Sequence, residues 1–274
     1  MLSPELEAEL EYLLRGAEYT IVGPRDTRRR VTPTTVEPYK HICQITAQLP
    51  SPDHGGAWVT WIGSGTLIAP NKVLTAAHVV YSLRYRVYAR NVRVAPGKDG
   101  SGAGVSSEPF GATGGSRLDV PAAYRATTSV PTVVAANDYA VITLASRIGD
   151  RRRRGAAAGS APLGFWRRWR AAPDSLLRNA RVNNSGYPAD KGGDRQYRAY
   201  NRVAGLTADR ILYQNDTEGG QSGGPVWLRW HQHRVIIGIH TNGFNPSAPL
   251  AARVNSGVRL NATNLAAIQA WVRT

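Results

Sequence analysis

The sequence predicts an all-β protein, a barrel or a sandwich, and three observations carry that reading. Short runs rich in Val, Ile, Tyr and Trp recur from about residue 40 onward. Turn signals such as Pro70-Asn71 and Gly192-Gly193 separate them, and 28 Gly with 17 Pro suit a chain of many turns. Helical spacing of apolar residues is confined to a stretch near each end. With 274 residues, 42% of them hydrophobic, the chain can bury a sizeable core in one large unit or two small ones.

Residues 3–16 read as an N-terminal acidic helix. Ser3 can cap it, Pro4 suits its first position, and Glu5 and Glu7 favour the positive end of its dipole. Leu6, Leu10, Leu13 and Leu14 form one apolar face, and Gly16 can stop it. The expected strands are Ile42–Leu49, Trp58–Ile62, Thr66–Ile68, Val73–Thr75, Tyr85–Val94, Tyr139–Leu144, Asn179–Val182, Tyr197–Val203, Ile211–Gln214, Val226–Trp230, Val235–His240 and Ala252–Leu260. Residues 96–117, rich in Gly and Ser, read as a long surface loop. Residues 147–164, with Arg151–Arg154 and a run of Gly and Ala, read as a linker between two β units. A C-terminal helix follows, capped by Asn261 or Thr263, with Leu265, Ile268, Trp271 and Val272 on its apolar face.

Composition narrows the environment and the partners. No stretch of about 18 apolar residues exists, so no membrane span is expected. The start lacks a basic n-region and an apolar h-region, and Cys43 is the sole cysteine; both fit a reducing, cytoplasmic setting. Net charge is +15, although residues 1–18 set five Glu against Arg15. So basic a body attracts anionic partners.

The chemistry concentrates in Gly220-Gln221-Ser222-Gly223-Gly224-Pro225. Glycines on both sides let a turn expose the Ser222 hydroxyl. They also let the Gly220 and Ser222 N–H groups converge as an oxyanion hole. A serine hydroxyl needs a base, and His78, in Thr75-Ala76-Ala77-His78, is the best candidate of six histidines. Asp138, opening Asp138-Tyr139-Ala140-Val141-Ile142, would hold one imidazole tautomer. Each motif alone is an ordinary turn, a core histidine or a strand opener. Together they give the order His, Asp, Ser along the chain. His231 and His233 alternate along one strand, too few for a metal site, and no metal or cofactor is expected.

With Ser64-Gly65-Thr66-Leu67-Ile68 and Val73-Leu74-Thr75-Ala76-Ala77-His78, these residues resemble the chymotrypsin-like serine peptidases. Within that family the chain most resembles the bacterial glutamyl endopeptidases, over about residues 20–274. Additional marks are Ile21-Val22-Gly23-Pro24, Arg30-Val31-Thr32 with Thr34-Thr35, Pro38-Tyr39, Thr217 and Gly238-Ile239-His240-Thr241-Asn242-Gly243. The resemblance implies two six-stranded antiparallel β-barrels with the active site between them. It divides the chain into a prosegment helix (1–20), an N-terminal barrel (21–146), the linker (147–164) and a C-terminal barrel with its helix (165–274). It further implies a monomeric serine endopeptidase acting on proteins or peptides, of a kind often secreted.

Two departures from the family pattern stand out. The positions of a disulfide that many members carry beside the histidine are Gly63 and Val79 here, and Gln221 replaces the aspartate before the nucleophile. The resemblance also implies that Thr217 and His240, beside Thr241, bind an acidic P1 side chain, aided by an amine freed near Ile21. Asp216 offers the alternative, a trypsin-like pocket for basic P1 residues. Residues 1–20 are then either a removable prosegment or a permanently docked helix. Arg28–Arg30, Arg151–Arg154 and Phe165-Trp166-Arg167-Arg168-Trp169-Arg170 raise a rival reading, a nucleic-acid-binding protein or a catalytically silent scaffold. The complete Ser-His-Asp set weighs against the rival.

Overall fold

A computed structural model describes residues 19–101, 105–127, 131–243 and 253–274. Two closed six-stranded antiparallel barrels make up the body. The first contains β1 (Ile42–Pro50), β2 (Trp58–Ala69), β3 (Lys72–Thr75), β4 (Arg90–Pro96), β5 (Thr113–Asp119) and β6 (Ala140–Leu144). Their order around the barrel is β5-β6-β3-β2-β1-β4, and β4 pairs with β5 to close it. The second contains β7 (Arg181–Gly186), β8 (Tyr197–Leu206), β9 (Arg210–Tyr213), β10 (Pro225–Trp230), β11 (His233–Asn242) and β12 (Asn255–Arg259). It runs β7-β10-β11-β12-β9-β8 and closes through β7 and β8, with Arg29–Arg30 added outside β8.

Burial explains which expected strands formed as read and which did not. β1 lies between β2 and β4 and is buried along most of its length, so its apolar run is continuous. Trp58–Ile62 and Thr66–Ile68 are halves of one strand, β2, whose first half is half-exposed and whose second half lies in the core. The run Tyr85–Val94 is broken instead: Arg86 and Asn91 take positive φ, and only Val87–Tyr88 and β4 are extended. The loop expected over 96–117 is overturned in part. It contains Asp99–Ser101, Val105–Ser107 and the start of β5, whose Gly114-Gly115-Ser116-Arg117 sequence favours no strand but is held by β4 and β6 on either side.

β7 extends past the expected Val182 through Asn183, Asn184, Ser185 and Gly186. Hydrogen bonds offset the poor strand propensity of these residues. Ser185 Oγ donates to the Tyr197 carbonyl at 2.7 Å, and Asn184 Nδ2 to the Pro225 carbonyl at 3.3 Å.

The C-terminal helix, Ala262–Arg273, is capped reciprocally. Asn261 Oδ1 accepts from Asn264 N at 3.0 Å while Asn264 Oδ1 accepts from Asn261 N at 2.9 Å. Its Ile268, Leu265, Trp271 and Val272 pack on the first barrel, with the Trp271 ring 5.8 Å from that of Tyr139. The C-terminal helix thus crosses back from the second barrel to the first. The N-terminal acidic helix expected over 3–16 lies outside the described residues. Among the described residues no helix is long and apolar enough to cross a membrane.

The barrels meet through a buried polar contact as well as through apolar packing. Trp227, Ile236, Ile239 and Val258 of the second barrel share a core with the first. Trp166, from the aromatic-arginine run, belongs to that core: it is buried against Trp227, and its Nε1 donates to the Arg234 carbonyl. Ser64 of β2 is fully buried where the barrels touch. Its Oγ donates to the Gly220 carbonyl at 2.7 Å and accepts from Tyr187 N at 2.9 Å; its own N–H donates to the Ser222 carbonyl at 2.8 Å. Removing that hydroxyl orphans a buried N–H. Ser64→Ala should lower unfolding free energy by about 1–3 kcal/mol in urea titrations, with an unchanged m-value.

Candidate active site

The elements that carry the expected site residues converge where the barrels meet. β3 ends at Thr75, and Ala77–Val80 makes a single helical turn that sets His78 at its mouth. Asp138, just before β6, is buried at 3% exposure and bonded to His78 twice. Its Oδ2 lies 2.7 Å from His78 Nδ1, and its Oδ1 accepts the His78 backbone N–H at 3.0 Å. A carboxylate gripped at both oxygens by one residue fixes ring orientation and makes Nδ1 the protonated nitrogen, leaving Nε2 free to accept a proton.

The Gly220–Gly224 turn packs against the histidine turn. Gly223, at φ +85°, leaves no room for a side chain: a Cβ there would fall on the Ser64 carbonyl and the Thr75 hydroxyl and come within 3.0 Å of Ala76 N. The turn is bonded to β11 by Gly223 N to the His240 carbonyl (2.7 Å) and His240 N to the Gly224 carbonyl (2.9 Å). Gln221 Nε2 donates to Asn184 Oδ1 on β7 at 3.2 Å. Ser222 itself is half-buried. Among the described residues its hydroxyl makes no hydrogen bond to His78.

Gly220, at φ +90°, abuts the Tyr187 carbonyl so closely that a Cβ would overlap it. Among the described residues, the N–H groups of Gly220 and Ser222 donate to no protein acceptor, whereas those of Gly219, Gln221, Gly223 and Gly224 all do. Two undonated amides beside a serine hydroxyl are what an oxyanion requires. The expected disulfide positions are neighbours as well. A Cβ on Gly63 would come within 2.6 Å of Val79 Cγ1, so van der Waals contact replaces a covalent bridge beside His78.

Thr217, His240 and Thr241 are all buried. His240 Nδ1 lies 2.6 Å from the Tyr213 hydroxyl. Burial, then the Arg210 charge, then His78 push its pKa down to about 3, so the imidazole is neutral near pH 7. Thr241 Oγ1 accepts from Arg210 Nη1 at 2.8 Å and donates to Asn242 Oδ1 at 2.7 Å. Asp216 faces the N-terminal segment. Its Oδ1 accepts Val22 N at 2.7 Å and its Oδ2 accepts Thr27 N at 2.8 Å, with the Thr27 hydroxyl also bonded to Oδ2. Next to it, Tyr19–Thr20 pairs antiparallel with Thr217–Glu218.

Sequence reasoning missed Ser64's coordinating role, Tyr213 and Arg210. Ser64 stands in a quoted run but carries no signal of its own. Tyr213 reads as a strand aromatic and Arg210 as a turn cation.

Two barrels, a buried carboxylate on an imidazole and a glycine-held serine turn make a specific combination, and sequence comparison agrees with it. Residues 63–239 match the trypsin-like peptidase domain. The chain belongs to that family. A trypsin-like peptidase acts on protein or peptide substrates through a serine. The chain is 28% identical over 252 residues to the glutamyl endopeptidase of Bacillus licheniformis, covering 89% of this chain and 68% of that protein. It is also 27% identical over 266 residues to a Bacillus subtilis protein named extracellular metalloprotease, covering 97% and 74%. Among the described residues no group of three His, Cys, Asp or Glu is placed to hold a metal. A solved glutamyl endopeptidase in complex with MPD superposes with TM-score 0.71 at 28% identity, over 93% of this chain and all of that one.

The close fit of Gly223 gives a direct check on the site. Gly223→Ala should push the serine turn off the histidine turn and lower kcat/KM on any peptide substrate by a factor on the order of 10², measured with the folded fraction fixed by circular dichroism.

Proposed function

We propose that this peptidase is an endopeptidase that cleaves after acidic residues, above all glutamate, through Ser222, His78 and Asp138. Ser222 Oγ attacks the scissile carbonyl, and His78 Nε2 takes its proton and returns it to the leaving amine. Asp138 stabilises the imidazolium formed in between. The N–H groups of Gly220 and Ser222 receive the oxyanion, each worth about 10²–10³ in rate. Water then hydrolyses the acyl-enzyme by the same route in reverse.

The observation that carries the acidic preference is the placement of Asp216. Both of its oxygens accept from Val22 and Thr27, which turns the carboxylate toward the N-terminal segment and disfavours its pairing with an incoming lysine or arginine. This orientation weighs against the alternative pocket for basic residues. His240 and Thr217 are buried next to the serine turn, and a carboxylate placed there without donors would cost several kcal/mol. The similarity to glutamyl endopeptidases supports the same direction. Residues 1–20 act as a prosegment in this reading, since Tyr19–Thr20 lies along the strand that carries Thr217.

Ser222→Ala should reduce turnover by a factor on the order of 10⁶. Near-native turnover would place the nucleophile elsewhere. In otherwise identical chromogenic peptides carrying Glu, Asp, Arg or Phe at P1, Glu should be cleaved fastest. Faster cleavage after Arg would return Asp216 to the pocket and end the acidic reading.

A further inference from the structure

Arg210 opens β9 in the second barrel, and one guanidinium there serves four acceptors. Nη1 donates to the Ala135 carbonyl (2.9 Å) and to Thr241 Oγ1 (2.8 Å); Nη2 donates to Asn242 Oδ1 (2.9 Å) and to Ser256 Oγ. The acceptors come from three places: the segment just before Asp138, the strand that continues from His240, and β12. All four are neutral oxygens. Among the described residues Arg210 has no carboxylate within ion-pair distance, whereas Arg28 pairs with Asp26 and Asp190 and Arg259 with Asp174. Burial lowers its pKa from the usual arginine value without neutralising a guanidinium near pH 7.

A partly desolvated cation held by neutral dipoles keeps its field. That field reaches His240, whose proton affinity it depresses, and Asp138, which is already committed to His78. Apart from an amine freed near Ile21, the pocket's own side chains bring no charge to an acidic substrate. His240 is the side chain placed to meet the carboxylate, yet it is neutral, and Thr217 and Thr241 carry no charge. Hydrogen bonds from neutral donors orient a carboxylate but discriminate weakly against its amide isostere, which also accepts them. Charge discriminates between the two.

We propose that Arg210 is a specificity-determining residue: its half-buried guanidinium, held by neutral oxygens including those of Thr241 and Asn242, supplies the positive potential by which the pocket selects a glutamate over a glutamine at P1. Arg210 acts at a distance and does not touch the substrate. It rests on the acidic-P1 reading above. Lysine at this position keeps the charge and loses the fork; glutamine keeps a polar group and loses the charge.

The experiment measures kcat/KM for a matched pair of peptides, Glu and Gln at P1, on each enzyme. The ratio is internal to one sample and does not depend on the fraction that folds. In the wild type the ratio should be well above one; a ratio near one overturns the acidic reading itself, and the proposal with it. With a high wild-type ratio, Arg210→Gln should lower it by about tenfold or more, and Arg210→Lys by no more than about threefold. An unchanged ratio in Arg210→Gln, or an equal loss in both variants, overturns the proposal and leaves the acidic reading in place. Should Arg210→Gln not fold, the wild type alone decides. The groups facing His240 are Tyr213 and Arg210 on β9, Ser256 on β12, and His78 with Asp138 from the first barrel. With Arg210 as the source of charge, the Glu:Gln ratio stays level from about pH 5.5 to 8.5, because a P1 glutamate is ionised throughout. A ratio that collapses as pH rises through about 6–7 would identify a protonated imidazole as the source and refute the role of Arg210.

Discussion

The site depends first on one buried serine that performs no chemistry. Ser64 uses its N–H and hydroxyl to hold the Gly220 and Ser222 carbonyls and the Tyr187 amide, all from the second barrel. Its own carbonyl accepts the Thr75 hydroxyl at 2.7 Å, three residues before His78. A single residue therefore ties the serine turn to the histidine turn. Each bond is modest by itself, but all four act at one fully buried point where no water can substitute. The Gly220 carbonyl is thereby fixed, and among the described residues the Gly220 N–H donates to no protein acceptor. Positioning by backbone hydrogen bonds suits a reaction that asks little motion of its donors.

Buried charge is arranged around the cleft with similar economy. Asp138 is satisfied by His78, Asp216 by Val22 and Thr27, and Arg28 by Asp26 and Asp190. Of these, Arg28 joins the N-terminal segment to the turn at Ala189–Lys191, adjoining the serine turn through Ala189 N and the Gly219 carbonyl. Arg210 breaks the pattern, being held only by neutral oxygens. A protein bears the cost of such a group where its field has something to act upon.

Much of this architecture was readable in the sequence, for identifiable reasons. β1, β3, β6, β10 and the C-terminal helix announce themselves because one environment covers their length, so their apolar pattern is regular. β5 and the far half of β7 were not legible. Their Gly, Ser and Asn residues carry no strand preference, and only neighbouring strands and side-chain hydrogen bonds hold them extended. The turns around His78, Asp138 and Ser222 stood out in the sequence because glycine and alanine there permit the close backbone approach that the structure has. What Asp216 does was not: an aspartate six residues before a serine looks the same whether it faces a pocket or a backbone. Arg210 and Tyr213 were invisible because their partners lie tens of residues away along the chain, at Ala135, His240, Asn242 and Ser256.

The contact between Gly63 and Val79 has a consequence for how the molecule withstands its surroundings. Where a covalent clasp would have to be forged by an oxidant and could be undone by a thiol, a methyl group resting on a bare backbone needs neither. The lone sulfur, Cys43, is walled into the core and cannot exchange with outside thiols. The cleft thus keeps its shape by steric fit, and glutathione poise is not among the variables that set it.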